Sequence, residues 1–549
     1  MRTILDDKNL LSAEDALSLY IKETSPKPLG IEEVNLLEAL NRVSAEEIYS
    51  PIDLPPFSRS TVDGFAVISE STPGEFEVID KIRIGEYKEI RIQGNQAVEV
   101  DTGAIIPENA TGVVKIEETK QENNKIKIER RLNFGENIGW VGSDVPKGFE
   151  ILRKGEIISA EKIALLASVG INKVKVYRKP KIFIITTGDE LIPPGEPLEK
   201  GKIYESNAFY LLAKLKMEGY EVLGFTHVRD DKEEIEKQLL DALNIADVVI
   251  ITGGTSAGEK DYVHQVINEK GKIIVHGIKF KPGKPTILAL VNGKPVMGLP
   301  GNIVSTIMVI ERVILKYLSI ISGKQYEEPT KVKAILMNSI KADKNRYTYI
   351  PVYLFKKGET YYALAVPFDS YMIGTFSSAD GYIGLQPNSN FKEGEEVEVY
   401  IKRIDTRPVY IGEEEPLIME KLVGFRKLPL GSFAATKALQ YGVGDIIVLS
   451  RLYNPQVEGD YTFKRKVLQN GSFKNTIGYH EWIGLNKIIS SPTVKLRYVS
   501  LAKNFIGRAT VIAPNTIINE GKEIGEEELV IISNQEEYKL KLKTLFVTG

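Results

Sequence analysis

The sequence contains no cysteine and only four histidines. The first absence excludes a disulfide scaffold, a thiolate zinc or iron–sulfur site and a cysteine nucleophile. It also fits a reducing intracellular compartment, so a cytoplasmic location is expected. Four scattered histidines argue against a histidine-rich zinc site. Any metal must then be held mainly by carboxylates, which favours Mg2+ over softer ions. A basic excess is missing too: 71 Lys and Arg face 74 Asp and Glu. The resulting charge of −3 speaks against a general nucleic-acid partner. Unbroken apolar runs are short. The longest, about 303–321, is interrupted by Glu311, Arg312 and Lys316, which suits a buried core helix and no membrane association. Met1–Asp7 has no apolar h-region, so no signal peptide is expected.

What is present is length and alternating pattern. The 549 residues allow for about three to five domains at roughly 150 residues each. Residues 12–24 and 31–48 read as amphipathic helices, separated by Ser25-Pro26-Lys27-Pro28. From Pro51 the period changes to that of half-buried strands, at 76–84, 97–100, 112–117 and 125–130. A helix at 160–170 and a strand at 173–177 follow. Between 181 and 325, apolar β-branched runs at 182–187, 221–228, 247–252 and 272–275 alternate with helical periodicity at 207–218, 232–243 and 261–268. That rhythm predicts a mostly parallel sheet with helices on both faces. Short strands return at 330–404, as in a β-barrel or small sandwich, and 409–549 reads as a mixed α/β tail.

Three glycine turns sit at predicted carboxyl ends of strands in the α/β segment: Thr186–Leu191 with Gly188, Thr252–Tyr262 with Gly253, Gly254, Thr255, Ser256 and Gly258, and Gly298–Asn302 with Pro300 and Gly301. Ligands of open parallel sheets bind outside such ends, where glycines let backbone N–H groups approach an anion. Each turn alone is an ordinary βα connection; three together favour a phosphate-bearing ligand. Between the second and third turns lies Lys279-Phe280-Lys281-Pro282-Gly283-Lys284-Pro285, a proline-stiffened cluster of three lysines that fits an oxyanion clamp. Glu190, Asp230 and Asp261 all follow strands of the same sheet. Carboxylates converging beside a phosphate clamp are what Mg2+ requires. The competing reading is helix capping, by Asp231 or Asp261.

The combination resembles the molybdopterin molybdenumtransferase family (MoeA and the E domain of gephyrin). The matching motifs are Pro55–Ala66 for P-x-x-x-x-S-x-x-D-G-[YF]-A and Val100–Pro107 for x-T-G-A-x-[LI]-P, then Gly135–Ile138 through Asp144. Arg178-Lys179-Pro180 with Thr187–Leu191, Thr252–Tyr262, Lys281–Pro285 and Gly298–Ser305 complete a collinear set over about 8–404. The resemblance implies an elongated domain at 1–50 and 141–180 with an inserted β-rich domain at 51–140. A three-layer α/β molybdopterin-binding domain at 181–325 and a β-barrel domain at 326–404 would follow. It implies a homodimer that inserts molybdate, or tungstate, into adenylylated molybdopterin with Mg2+-dependent hydrolysis of the adenylate, releasing AMP. A molybdopterin adenylyltransferase is then an expected partner.

By motif, Asp63, Thr102, Asp144, Glu190, Asp230 and Asp261 are the implied catalytic positions. Glu190, Asp230 and Asp261 would hold Mg2+, and Asp63 would act across the dimer interface. Implied substrate contacts are Gly188, Gly253, Gly254, Thr255, Ser256 and Gly258 on the pterin phosphate side. Lys279, Lys281, Lys284, Pro300, Gly301, Asn302, Arg346 and Ser377 complete them. The sequence departs from the family at Ile303, usually Pro, and at Pro351, where a second arginine after Arg346 is common, so an altered oxyanion site is expected. Asp380 stands where Asn is common.

The tail at 405–549 resembles the periplasmic-binding-protein-like domain fused to some archaeal MoeA proteins, through Leu430–Ala435, Gly444–Val448 and Tyr453–Pro455. It is short for two lobes. Gly431-Ser432 before a helix reads as an anion-binding terminus. Two other functions remain open from the residues alone: molybdopterin adenylyltransferase, and a non-catalytic oxyanion sensor or scaffold.

Overall fold

The computed structural model describes residues 10–255, 261–451, 453–471, 476–478, 494–495, 503–504, 506, 510–514, 516–517 and 519–539. Helix Ala13–Thr24 starts where the Ser12 hydroxyl accepts from Asp15 N at 3.0 Å, with Glu14 and Asp15 in its first turn. Its buried face, Ala13, Ala16, Leu17 and Tyr20, joins the core of the α/β sheet, and Tyr20 Oη donates to Ala289 O at 2.9 Å. This helix, expected in the elongated domain, therefore packs on the α/β domain.

The helix expected over 31–48 does not form. Ile31–Asn35 is a strand paired antiparallel with Lys173–Tyr177, and a short 3-10 turn, Leu36–Ala39, follows it. The alternating partner Lys-Val-Lys-Val-Tyr offers an edge, and the ladder outweighs the modest helical preference of Glu32 and Glu33. Together with Ile48–Tyr49 on Glu150–Leu152 and helix Ala160–Ser168, it encloses a small core around Leu152, Leu166, Val174 and Val176. Residues 64–128 form a separate six-stranded sheet, in the order Gly112–Lys115, Gly64–Val67, Gln96–Val100, Gly74–Ile82, Lys125–Ile128, Thr119–Glu122.

In the α/β domain the elements are β1 (Lys181–Thr187), α1 (Asn207–Met217), β2 (Glu221–Val228), α2 (Lys232–Ile245), β3 (Val248–Thr252), α3 (Tyr262–Lys270), β4 (Gly271–His276), β5 (Ile287–Val291), β6 (Lys294–Leu299) and α4 (Ile303–Val309). The sheet order is β2-β1-β3-β6-β5-β4. The first four strands are parallel, as the rhythm predicts, and β5 and β4 extend the sheet antiparallel. Beyond α4 the helix passes through a π turn, Ile310–Ile314, and continues to Ile321. The turn sets Glu311 near the hydroxyls of Tyr210 and Tyr382, and stacks Arg312 4.5 Å over Tyr400. The charged residues that break the apolar run thus serve the seam with the barrel. No helix among the described residues is long and apolar enough to cross a membrane.

The barrel closes five strands: Tyr347–Lys357, Thr360–Ala365, Lys331–Leu336, Glu396–Ile401 and Gly381–Leu385, the last pairing back onto the first. Val352, Leu354, Ala363 and Ala365 fill its interior. Their alternates Tyr353, Phe355, Leu364 and Val366 face outward, yet they are buried, because the tail covers them. The tail is a mixed sheet with helix Gly431–Tyr441 packed on it. At the joint, Arg426 and Asp380 pair at 2.8 Å with side chains 4% and 1% exposed. Lys437 and Gln440 also donate to Glu393 of the barrel, at 2.6 and 2.9 Å.

Candidate active site

The first glycine turn forms because β1 must stop sharply. Gly188 has φ +150°, and a Cβ there would sit 2.8 Å from Glu190 Oε1. The positive φ suits glycine, and the Glu190 carboxylate folds back over the strand end beside it. Asp189 faces the neighbouring turn and accepts from Asp230 N at 3.3 Å. Burial raises the Asp230 carboxyl above its usual range, and the negative charges of Asp189 and Glu190 push the same way. Asp231, next in sequence, accepts from Glu234 N at 2.9 Å and caps α2. The two adjacent aspartates have divided their work: one caps, the other joins the carboxylates. The Thr187 hydroxyl lies buried beneath them, and its hydrogen bond to Asp230 opposes the rise.

The second turn approaches the first closely. Gly253 has φ +91°, and a Cβ on it would meet Thr187 O at 2.5 Å. Gly254 follows. Thr255 is anchored, its hydroxyl donating to Leu299 O at 3.3 Å and its carbonyl meeting His276 Nε2 at 3.3 Å. His276 stacks on His264 with ring centroids 4.3 Å apart. Burial lowers both imidazoles, and Asp261 opposes the shift in each. Asp261 thus sits at the head of α3 beside the histidine pair, while Asp230 feels the charges of Asp189 and Glu190. Among the described residues no three His, Asp or Glu side chains are spaced to hold a metal ion. Ser256 and Gly258 lie outside the described residues.

The third turn links this carboxylate end to a cavity. Gly301 packs beside Gly253, whose Cα is the nearest atom to an added Cβ at 3.8 Å, and Asn207 Nδ2 donates to Gly301 O at 2.8 Å. Pro300, Gly301 and Asn302 then line a cavity of about 480 Å³ between the α/β domain and the barrel. Lys281 and Lys284 of the proline-stiffened loop enter from one side, Lys341 and Arg346 of the barrel from the other. The loop is fixed there by strand pairing of Phe280–Lys281 with Tyr347–Thr348. Asn302 Nδ2 donates to Ser370 Oγ at 2.8 Å, and Ser370 lines the same wall. Four cations converge in one chamber, an arrangement suited to a small multivalent anion.

Several expected residues lie elsewhere. Lys279 does not line the cavity; its backbone bridges Leu11 and Tyr347. Ser377 is exposed on helix Ile373–Ser378, and the serine of this wall is Ser370. Asp380 of that turn is committed to Arg426. Lys341, Ser370 and Asp189 were not singled out by sequence. Asp189 alone carried a signal, its position between Gly188 and Glu190. Asp63 and Thr102 do meet: Asp63 Oδ1 accepts from Thr102 N at 2.6 Å, and this bond, with one to the Thr102 side chain, lowers the carboxyl below its usual range. Asp144 is exposed, its N–H tied to Leu54 O. Within one chain Asp63 and Thr102 pair with each other, and Asp230 with Asp189.

In the tail, the helix terminus at Gly431-Ser432 is already filled. Glu413 Oε1 accepts from Ser432 N at 3.0 Å and Ser432 Oγ at 2.6 Å. Glu413 belongs to a buried set in which Arg465 meets Glu527, Glu415 and Glu413 at 2.8, 3.2 and 3.3 Å. The expected anion is the chain's own carboxylate.

Comparison with known proteins agrees with this division. Residues 11–170 match the MoeA N-terminal region (domain I and II), 183–319 the probable molybdopterin binding domain, and 333–402 the MoeA C-terminal region (domain IV). A Methanocaldococcus jannaschii protein named for molybdopterin biosynthesis is 34% identical over 413 residues, 73% of this chain and 100% of its own. The molybdopterin molybdenumtransferase of Haemophilus influenzae is 32% identical over 397 residues, 71% of this chain and 98% of its own. The crystal structure of a molybdopterin biosynthesis MoeA protein from Pyrococcus horikoshii superposes with TM-score 0.62 at 36% identity, covering 72% of this chain and 99% of that one. Sequence identity over whole relatives, three matched regions in order and a shared architecture agree: the chain belongs to the MoeA family of molybdopterin molybdenumtransferases, enzymes of molybdenum cofactor biosynthesis.

Proposed function

We propose that the cavity between the KPGK loop and the barrel binds molybdate or tungstate, and that the neighbouring carboxylate end hydrolyses the adenylate of adenylylated molybdopterin. The observation that carries this reading is the join at Gly301–Asn302, which sets a four-cation chamber next to Glu190 and Asp230. The substrate oxyanion is a dianion and needs the lysines. The phosphoanhydride end needs backbone donors, for which the turns at Gly188 and Gly254 are candidates; the Gly253 N–H already donates to Leu299 O at 3.1 Å.

The donor set fits Mg2+. The crowded carboxylates of Asp189, Glu190 and Asp230 would be relieved by a hard cation. Glu190 and Asp230 would hold it together with phosphate oxygens of the substrate, as Mg2+ sites with few protein ligands do. Bound there, it supplies charge neutralisation at the phosphate. Glu190 and Asp230 also orient the attacking water, and AMP leaves. The Asp63–Thr102 pair and Asp144 serve a site completed by a second copy of the chain, in a cytoplasmic homodimer.

Purified protein given adenylylated molybdopterin, Mg2+ and either anion is expected to release AMP. Lys284→Ala should lower the oxyanion-dependent part roughly 10²-fold. No metal-dependent release with either anion would refute the assignment.

A further inference from the structure

Two of the cavity's cations are already engaged by a carboxylate that stands just behind its lining. Lys281 Nζ and Arg346 Nη2 both donate to Asp343 Oδ2, at 3.2 and 2.8 Å. The other oxygen, Oδ1, accepts from Asn345 N at 3.1 Å. The Asp343 N–H donates to Oγ1 of Thr348, a cavity-lining residue, at 3.0 Å. The side chain is 16% exposed. Burial works against its ionisation, but the bonds from Arg346, Asn345 and Lys281 outweigh it and hold the carboxyl far below the usual range. It therefore stays anionic wherever the protein is folded.

We propose that Asp343 is a resident anion that sets the oxyanion affinity of the cavity, holding Lys281 and Arg346 in the wall when the chamber is empty and repelling the dianion once it enters. This rests on the oxyanion reading of the cavity given above. Two effects compete when the charge is removed. Lost positioning of the cations would weaken binding; lost repulsion would tighten it. An asparagine keeps one oxygen acceptor for Lys281 or Arg346, so most of the positioning survives. The repulsion between a unit charge and a dianion a few ångströms apart, at an effective dielectric of about 20, exceeds what one shared hydrogen bond contributes. Repulsion wins. The functional sense is transfer: an anion held too tightly as a ground state is not passed on to the molybdopterin.

The test is titration of molybdate alone into the full-length chain and into Asp343→Asn, Asp343→Ser and Lys284→Ala. Both Asp343 variants are expected to bind about tenfold tighter, a change that charge removal of this kind supplies. In turnover, their KM for molybdate should fall while kcat stays level or drops. A merely structural ion pair would give unchanged or weaker binding with a lower melting temperature. That result in either folded Asp343 variant, with Lys284→Ala losing affinity, overturns the proposal and leaves the cavity assignment standing. Unchanged binding in Lys284→Ala as well removes the cavity assignment and the proposal with it.

Discussion

Asp230→Asn is expected to lower AMP release by about 10³-fold or more without loss of folded protein, since the group serves charge handling at the reacting phosphate and not the core. Its environment makes the sign clear. Burial and the charges of Asp189 and Glu190 favour the protonated form in the folded chain. The stabilisation from that protonated form is present at low pH and is lost as pH rises through the raised value. At neutral pH an amide at 230 removes a repulsion, so the melting temperature should hold or rise while activity collapses. In the native protein activity needs the carboxylate. An Asp230→Asn protein with normal turnover would show that the carboxylate end is not the reaction centre.

The same variant tests where Asp63 acts. Asp63 pairs with Thr102 in the inserted sheet, while Asp230 pairs with Asp189 in the α/β domain. If each site is completed by a second copy, Asp63→Ala and Asp230→Asn should each be inactive alone. Co-expressed, half the dimers are mixed and carry one intact site, so about a quarter of the native activity should return in a C2 dimer. No recovery would mean that each chain supplies its own Asp63.

The periodicities that located the β1 to α3 rhythm were readable because buried parallel strands are uniformly apolar and the helices between them amphipathic. The strand at 31–35 was not, because its conformation is decided by Lys173–Tyr177, some 140 residues away. Chemistry followed the same rule. Glu190 stood in a glycine turn and Asp230 directly after a predicted strand, both local signals. Lys341 and Ser370 reach the cavity only because the barrel folds against the Lys281–Pro285 loop, and no local pattern marks them. The order Asp230-Asp231 posed a local ambiguity that only the capping bond to Glu234 N resolved.

The largest stability effect is expected at the tail. A domain that merely hangs from Pro408 could be cut there without harm, and the alignment makes that expectation natural, since the matched regions end at residue 402. The barrel strands contradict it. Tyr347–Lys357 and Thr360–Ala365 are apolar on both faces: Val352, Leu354, Ala363 and Ala365 point in, while Tyr353, Phe355, Leu364 and Val366 point out under the tail. A strand apolar on both faces is buried on both. Ending the chain at 408 would expose those four and Met337, and leave Asp380 without Arg426. At about 1.5–3 kcal/mol per side chain the loss is on the order of 10 kcal/mol, comparable with the whole margin of a domain. Aggregation or a barrel that binds hydrophobic dye is the expected result. Adding Tyr353→Thr, Phe355→Lys and Leu364→Thr to the shortened chain should restore solubility by making the uncovered face polar. A soluble 1–408 chain with the native melting temperature would show that the shared core contributes little. Val366 belongs both to that core and to the wall of the oxyanion cavity, so in a shortened chain that stays folded, molybdate affinity should fall alongside stability.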